Sequence, residues 1–252
     1  MEIEFNEKSH RYKVDGEYFP SVTTIIDSVV PKNLSWWAMV VGVKATMELY
    51  NRGILIPTPG MDPEEIVSLI RKERLSVYHI RDEKGSEGTA VHKAGDRYAK
   101  TGEIPNLSDY PVDVRPKIKA LANFLLDYRP EIIKSEQRIA SLTYRYAGTY
   151  DWYVRIPDLG TGIVDLKTGK RIYPDSQFPQ IEAYEQARVE DGEDPSSFRA
   201  ILHLSADGSY DFKESTDTFH DFKVLLDHYN SAKLREARLK GIEKAEKEME
   251  AS

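Results

Sequence analysis

Between Tyr146 and Lys170 the chain reads YAGTYDWYVRIPDLGTGIVDLKTGK, and three of its residues are of types that do chemistry in company: Asp151, Asp165 and Lys167. Asp165 and Lys167 are two positions apart, so on a strand they point to the same face. Asp151 lies six residues before the turn Pro157-Asp158-Leu159-Gly160 and Asp165 five after it, so a hairpin can bring the acids together across a sheet. Leu166, between acid and lysine, is expected to point into the core and leave its backbone carbonyl near the acids. Two carboxylates and a carbonyl oxygen can hold one or two divalent ions, which polarise a phosphoryl oxygen and lower the pKa of a bound water. A lysine beside that water orients it and offsets charge in the transition state. Together these parts suit phosphodiester hydrolysis. The competing reading is a solvated ion pair on an exposed strand. Asp is disfavoured in strands, so Asp165 inside Ile-Val-x-Leu needs a reason, yet the three residues alone leave both readings open.

Other residues bear on the choice. His92, in Gly88-Thr89-Ala90-Val91-His92, falls on a helix, where it is either structural or a metal ligand. Gln180 and Tyr184 are four apart on the helix after the lysine and share a face. Glu136, in the strand before Asp151, is either an added carboxylate or a surface residue. Lys167, Lys170 and Arg171, with Lys134, Arg138 and Arg145, make a local basic cluster, and Tyr144, Tyr146, Tyr150, Tyr153 and Tyr173 are interleaved with it. Such a mixture contacts phosphates and stacks on unpaired bases, or the tyrosines simply pack on the sheet.

Composition narrows the chemistry. The chain has no cysteine, which excludes disulfides, thiolate zinc sites, iron–sulfur clusters and cysteine nucleophiles. A metal must then sit on oxygen or imidazole ligands, which favours hard cations, Mg2+ or Mn2+. The formal net charge of −7 lacks the global basic signature of a non-specific nucleic-acid binder, though a local basic groove suffices. The longest apolar run, near Trp36 to Val43, is too short to span a bilayer, and MEIEFNEKSHRY lacks the apolar centre of a signal peptide. A soluble, cytoplasmic protein with no membrane partner is expected. No Walker-type phosphate loop is present, so GTGIVDLKTGK is not read as an ATPase site.

The elements that must position these residues divide the chain by character. A small hairpin turns at Asp15-Gly16, a helix enters at Ser21 to Asp27, and another runs from Ser35 to near Gly53. Asp62 caps a helix expected to reach about Arg81, with a break near Gly85 before the His92 helix ending at Gly102. Residues 112–128 form a further helix with Ile118, Leu121, Ala122, Leu125 and Leu126 on one face. From there the pattern turns to strands at 132–142, 144–156 and 162–166, a helix at 175–189, strands at 198–204 and 209–213, and a final helix from about Asp217 into a tail of mixed charge. One domain over 1–252 is expected, comprising a hairpin and mainly helical cap over 1–130, an α/β core over 131–215 and a C-terminal helix over 216–252. The fold class is α/β, with a mixed central sheet because hairpins give antiparallel pairs and the intervening helix supplies a crossover.

The ordered set GTAVH, Glu136, GTYD, DLKTGK and QIEAY resembles the RecB-like branch of the PD-(D/E)XK nuclease superfamily. PSVTTIID, followed by a Trp-containing helix, is similar to the N-terminal part of phage and bacterial exonucleases of that branch. The resemblance covers about residues 18 to 205; each motif is short, and their order carries the likeness. It implies a restriction-endonuclease-like core and a metal-dependent DNA nuclease, an exonuclease before an endonuclease, in DNA recombination, repair or replication. Its partner would be DNA, single-stranded or with free ends. By the same resemblance Asp151 and Asp165 are the metal-binding acids, Lys167 is the catalytic lysine and His92 is a further metal-site residue. Gln180 and Tyr184 face the DNA, with Lys170 and Arg171 beside them, and Glu136 is an accessory acid. Several members of the branch carry four cysteines on an iron–sulfur cluster, which this chain cannot hold. The alternative from another class is a catalytically silent nuclease-like module that binds DNA or a partner.

Overall fold

The computed structural model describes residues 1–250 apart from 8, 10, 32 and 33, with the side chains of 245–250 outside the description. The chain divides into two compact units, one of residues 1–31 and 91–252, the other of residues 32–90. The chemistry-bearing residues named above all lie in the first.

That unit is built on a five-stranded mixed sheet ordered β4(Glu131–Ser141), β5(Tyr146–Ile156), β6(Gly160–Lys167), β7(Phe198–Leu204) and β8(Tyr210–Glu214). All neighbours are antiparallel except β6 and β7, which are parallel. The parallel pair requires a crossover, and α6(Pro174–Glu190) supplies it. The β5–β6 turn is short, and Asp158 and Gly160 both take left-handed φ values, 64° and 85°. Gly160 adopts this freely, and a short polar Asp tolerates it.

One face of the sheet is covered by α6 together with α1(Val22–Val29) and α7(Phe219–Glu250). Val22, Ile25, Ile26, Ala183, Tyr184, Ala187, Phe222 and Leu226 pack there against Tyr146, Tyr150, Tyr153 and Ile163 of the strands. Ser21 starts α1 as expected of a cap, its Oγ accepting the Thr24 N–H at 3.0 Å. Beyond Asn230 every described side chain of α7 through Lys244 is exposed, in keeping with the mixed-charge pattern of the tail. On the opposite face lie α5(Arg115–Tyr128), whose Phe124 packs on Tyr210 and Phe212, and the end of α4(Val77–Thr101) from Val91 onward. A three-stranded antiparallel sheet, β1(Ile3–Asn6), β2(Arg11–Val14) and β3(Glu17–Phe19), packs Tyr12, Val14 and Phe19 on Ala140 and Ala147. Leu126, expected on the apolar face of α5, is 58% exposed; Phe124 and Ala120 bury in that face instead.

The second unit contains α2(Ser35–Asn51) and α3(Pro63–Lys72), with Val41, Ala45, Leu49 and Leu55 buried. Asp62 caps α3, accepting the Glu64 N–H at 3.0 Å. The helix expected to reach Arg81 stops at Lys72, where Arg74 takes φ 58°, and α4 begins at Val77 and runs through Gly85 without a break. A lone glycine costs a helix only about 1 kcal/mol, which the ladder absorbs, whereas a left-handed residue ends it.

Candidate functional site

Side-chain alternation on β5 breaks at Asp151. Tyr146 and Tyr150 face α6, and a Cβ on Gly148 would lie 2.5 Å from the Tyr184 ring of that helix. Strict alternation would put Trp152 on the same side. Instead Tyr153 joins the α6-facing cluster, its ring 4.2 Å beneath the Arg188 guanidinium, and Trp152 turns to α4, where it meets Gly95. The β5–β6 ladder stops at the same place. Its last pair toward Lys167 is Trp152–Val164, while β6 stays paired to β7 out to Lys167–His203. The Leu166 N–H, which a continuing ladder would bond to β5 backbone, donates instead to Asp151 Oδ2 at 2.6 Å. Two strands that part in mid-sheet leave a buried gap, and Asp151 and Asp165 stand on its sides.

Each neighbouring element contributes a side chain. From α4, His92 Nδ1 lies 3.1 Å from Asp151 Oδ1 and 3.7 Å from Glu136 Oε1. From β4, Glu136 falls between the pairs Ser135–Trp152 and Gln137–Tyr150, opposite Asp151, with φ 50°. A left-handed glutamate costs on the order of 1–3 kcal/mol, and such strain concentrates at functional sites. From α6, Gln180 Nε2 donates to Asp165 Oδ1 at 3.3 Å and to the Tyr184 hydroxyl at 2.9 Å. On β6, Lys167 Nζ is 2.6 Å from Asp165 Oδ2, so the i, i+2 pair does share a face. Among the described residues that ion contact is the close partner of Asp165 Oδ2, a fully buried oxygen.

Charge dominates the electrostatics. The Asp151 carboxylate beside His92 holds the imidazolium form, against the pull of burial, and pushes its pKa up to about 11. Burial works to raise Asp151, but His92, Lys167 and the Leu166 amide outweigh it and hold the acid below its ordinary value. Burial and the Asp151 charge raise Asp165 to about 6 despite Lys167. Burial opposes the Lys167 ammonium, and the two acids more than restore it, so its pKa stands above the ordinary value. A like-charged, buried, incompletely bonded pair of carboxylates is the arrangement that a bound cation relieves.

His92, Glu136 and Asp151 each bring a ligand atom within 4.8 Å of the others. Asp165, expected as the second ligand, falls outside that set because its oxygens are turned to Gln180 and Lys167. Leu166, expected to offer its carbonyl, presents its N–H to Asp151. Glu136 thus stands with His92 and Asp151 in the first rank of candidate ligands. The donors are all oxygen or imidazole, which fits a hard divalent cation. Gln180 and Tyr184, expected to face the nucleic acid, are buried and support Asp165. Lys170 and Arg171 are exposed on the loop after β6, and no described contact ties either to the acids. Arg171 lies 5.0 Å from the ring of Tyr173, which is 43% exposed. Tyr146, Tyr150 and Tyr153 are core residues and present no ring to solvent.

The sequence reading missed two glycines. A Cβ on Gly95 would lie 2.7 Å from Trp152 and 3.3 Å from Leu166, the residues that follow Asp151 and Asp165. Close approach at Gly95 therefore sets the height of His92, one turn earlier on α4, above both strands. Gly148 does the same for Tyr184 and, through Gln180, for Asp165. The one sequence signal was their smallness beside motif residues. His203, also unflagged, donates from Nε2 to the Gly169 carbonyl at 2.8 Å and holds the loop after Lys167.

No protein-family model matches the chain, and no curated protein sequence matches it at a significant level.

Proposed function

We propose that this chain is a metal-dependent deoxyribonuclease acting by hydrolysis, with exonucleolytic action on DNA that is single-stranded or has free ends. The observation that carries the reading is the parting of β5 from β6, which sets the half-buried Lys167 against the buried Asp151 and Asp165 and adds His92 and Glu136 at the rim. The motif order that resembles RecB-like nucleases points the same way.

His92, Glu136 and Asp151 would hold a Mg2+ or Mn2+ ion, with Asp165 contributing the buried oxygen that faces Lys167. When bound, the ion supplies positive charge to a phosphodiester oxygen and to the attacking water. In the ion-free chain the two acids favour Lys167 as an ammonium. It donates hydrogen bonds, orienting the water oxygen toward phosphorus and offsetting charge on the phosphoryl oxygens. The water oxygen forms the new bond to phosphorus as the bridging P–O bond breaks, and the water's proton passes to solvent or a carboxylate. Gln180 and Tyr184 fix the rotamer of Asp165. Lys170 and Arg171 are placed to meet backbone phosphates, and Tyr173 offers a stacking face.

The test is incubation with end-labelled single- and double-stranded DNA, with Mg2+ or Mn2+ and with chelator, beside Lys167→Ala. Cleavage that needs the metal and the lysine is expected. A wild-type chain that cuts nothing under either metal, or a variant that cuts equally well, rejects the assignment. Binding without cutting would assign it to the silent-module class.

A further inference from the structure

Helix α2 carries apolar residues on two faces. Val41, Ala45 and Leu49 are buried within the second unit. A separate stripe, Trp36, Met39, Val43, Met47 and Tyr50, is exposed at 71, 50, 55, 59 and 61%. A helix apolar on opposite sides is ordinarily covered on both. The stripe follows spacings of three, four, four and three, an average of 3.5 that forms a straight seam along a helix, as in coiled-coil contacts.

The order of residue types is symmetric as well. It reads aromatic, methionine, valine, methionine, aromatic, with Val43 at its centre. An isologous two-fold contact places residue i against j and j against i. Only an antiparallel copy of the same helix sets Trp36 against Tyr50, Met39 against Met47 and Val43 against itself. Gly42, beside the centre, has nothing within 4 Å of where a Cβ would stand, so the two backbones can close there. The five fractions amount to about three fully exposed large side chains, roughly 600 Å² a copy at ~200 Å² each. Two copies then bury on the order of 1,200 Å², the lower edge of specific interfaces. Lys44 and Glu48 are the only charged residues of α2. A nucleic-acid surface sets cations among its aromatics, and a membrane-surface helix lines its polar face with them; this stripe has neither.

We infer that the exposed face of α2 is a self-complementary dimerisation surface, on which a second copy of this chain docks antiparallel about Val43. Light scattering of the intact chain is expected to give twice 28.8 kDa, and Val43→Glu to halve that mass with an unchanged melting curve. The chain has no cysteine, so introduced thiols report cleanly. Under mild oxidant Val43→Cys should link covalently, and Lys44→Cys, a quarter turn away, should not. Trp36→Cys should link when mixed with Tyr50→Cys but not alone. A wild-type chain monomeric up to its solubility, or a dimer whose Val43→Cys variant fails to link, overturns the inference. Protection of the Val43→Cys thiol by a single-stranded oligonucleotide, without dimerisation, overturns it in favour of a nucleic-acid surface.

Discussion

Helix α6 packs against two carboxylate–cation pairs, its own Glu185–Arg188 and Asp165–Lys167 of β6, and their carboxylates are bonded differently. Toward its C-terminal end, Glu185 accepts from the Ser196 N–H at 2.6 Å, the Ser196 hydroxyl at 2.7 Å and Arg188 Nε at 3.1 Å, so both oxygens are satisfied. Arg188 in turn stacks over Tyr153. Toward its N-terminal end, Gln180 gives Asp165 one bond of 3.3 Å on Oδ1, and Oδ2 has only the Lys167 ammonium. A second buried carboxylate, Asp151, raises the charge density there, whereas the acid beside the Glu185 pair, Glu193, is partly exposed and stands 3.6 Å from Arg188 Nη1, which donates no hydrogen bond among the described residues. A carboxylate with both oxygens hydrogen-bonded is tied into the fold, whereas two buried carboxylates side by side, one with an oxygen left to an ion contact, are an arrangement that a cation relieves. Acid and base are therefore tied into the scaffold at one end of α6 and left partly unbonded at the other.

The comparison breaks most clearly under two reciprocal substitutions. Lys167→Ala should lower the rate of DNA cleavage by about 10²–10³, the usual effect of removing one donor aimed at developing charge, and cost less stability than Glu185→Ala, because the buried Asp165 it leaves behind can take up a proton. Glu185→Ala should do the opposite. It leaves Arg188 buried without its partner and costs about 3–5 kcal/mol in denaturant unfolding, while the folded protein keeps its Mn2+ affinity. If Glu185→Ala removes metal binding, or Lys167→Ala unfolds the chain, the division between scaffold and site is wrong.

A smaller effect is expected of residues that hold the ligands. Gln180→Ala should weaken Mn2+ binding about 10–100-fold, as losing a group that orients a ligating carboxylate does, with the melting temperature as a control. Gly95→Ala and Gly148→Ala force a methyl group into Trp152 and Tyr184, an overpacking of about 1–3 kcal/mol. Metal titration of the refolded variants should show a loss of affinity beyond that of Ala at Gly85, where a Cβ meets nothing. Equal affinity at all three glycines would remove the positioning role.

The gentlest test is pH. His92 keeps its proton in the ion-free protein up to about 11, and a ligating imidazole must be neutral, so ion binding expels a proton. Affinity should then rise with pH, approaching about tenfold per unit near neutrality, and His92→Asn should flatten the slope. Calorimetry in two buffers of different ionisation enthalpy reads the proton directly; none released would remove His92 from the ligand set.

Much of this was legible in the sequence because it rests on local periods. The two-residue period placed Asp165 and Lys167 on one face, the Pro-Asp-Leu-Gly turn set the hairpin, and Ser21 and Asp62 announced their helices. What was not legible depends on non-local contact. Alternation gave no sign that β5 would break at Asp151, because the break answers to Trp152 seating on Gly95 from a helix some fifty residues earlier in the chain. Glu136 was open between an added carboxylate and a surface residue, and the left-handed backbone that turns it to His92 has no sign in the strand pattern. Gln180 and Tyr184 had the right spacing but the wrong assigned neighbour, since helix period gives a shared face and not what that face meets. The helix boundary failed likewise, at Arg74 and not at Gly85.

The most direct measurement is calorimetric titration of the intact chain with Mn2+, beside Asp151→Asn and Glu185→Ala. Saturable binding that Asp151→Asn abolishes and Glu185→Ala leaves in place is the predicted result. No binding by the wild-type chain, or equal binding by Asp151→Asn, would contradict the claim that the parted strands β5 and β6 hold a cation.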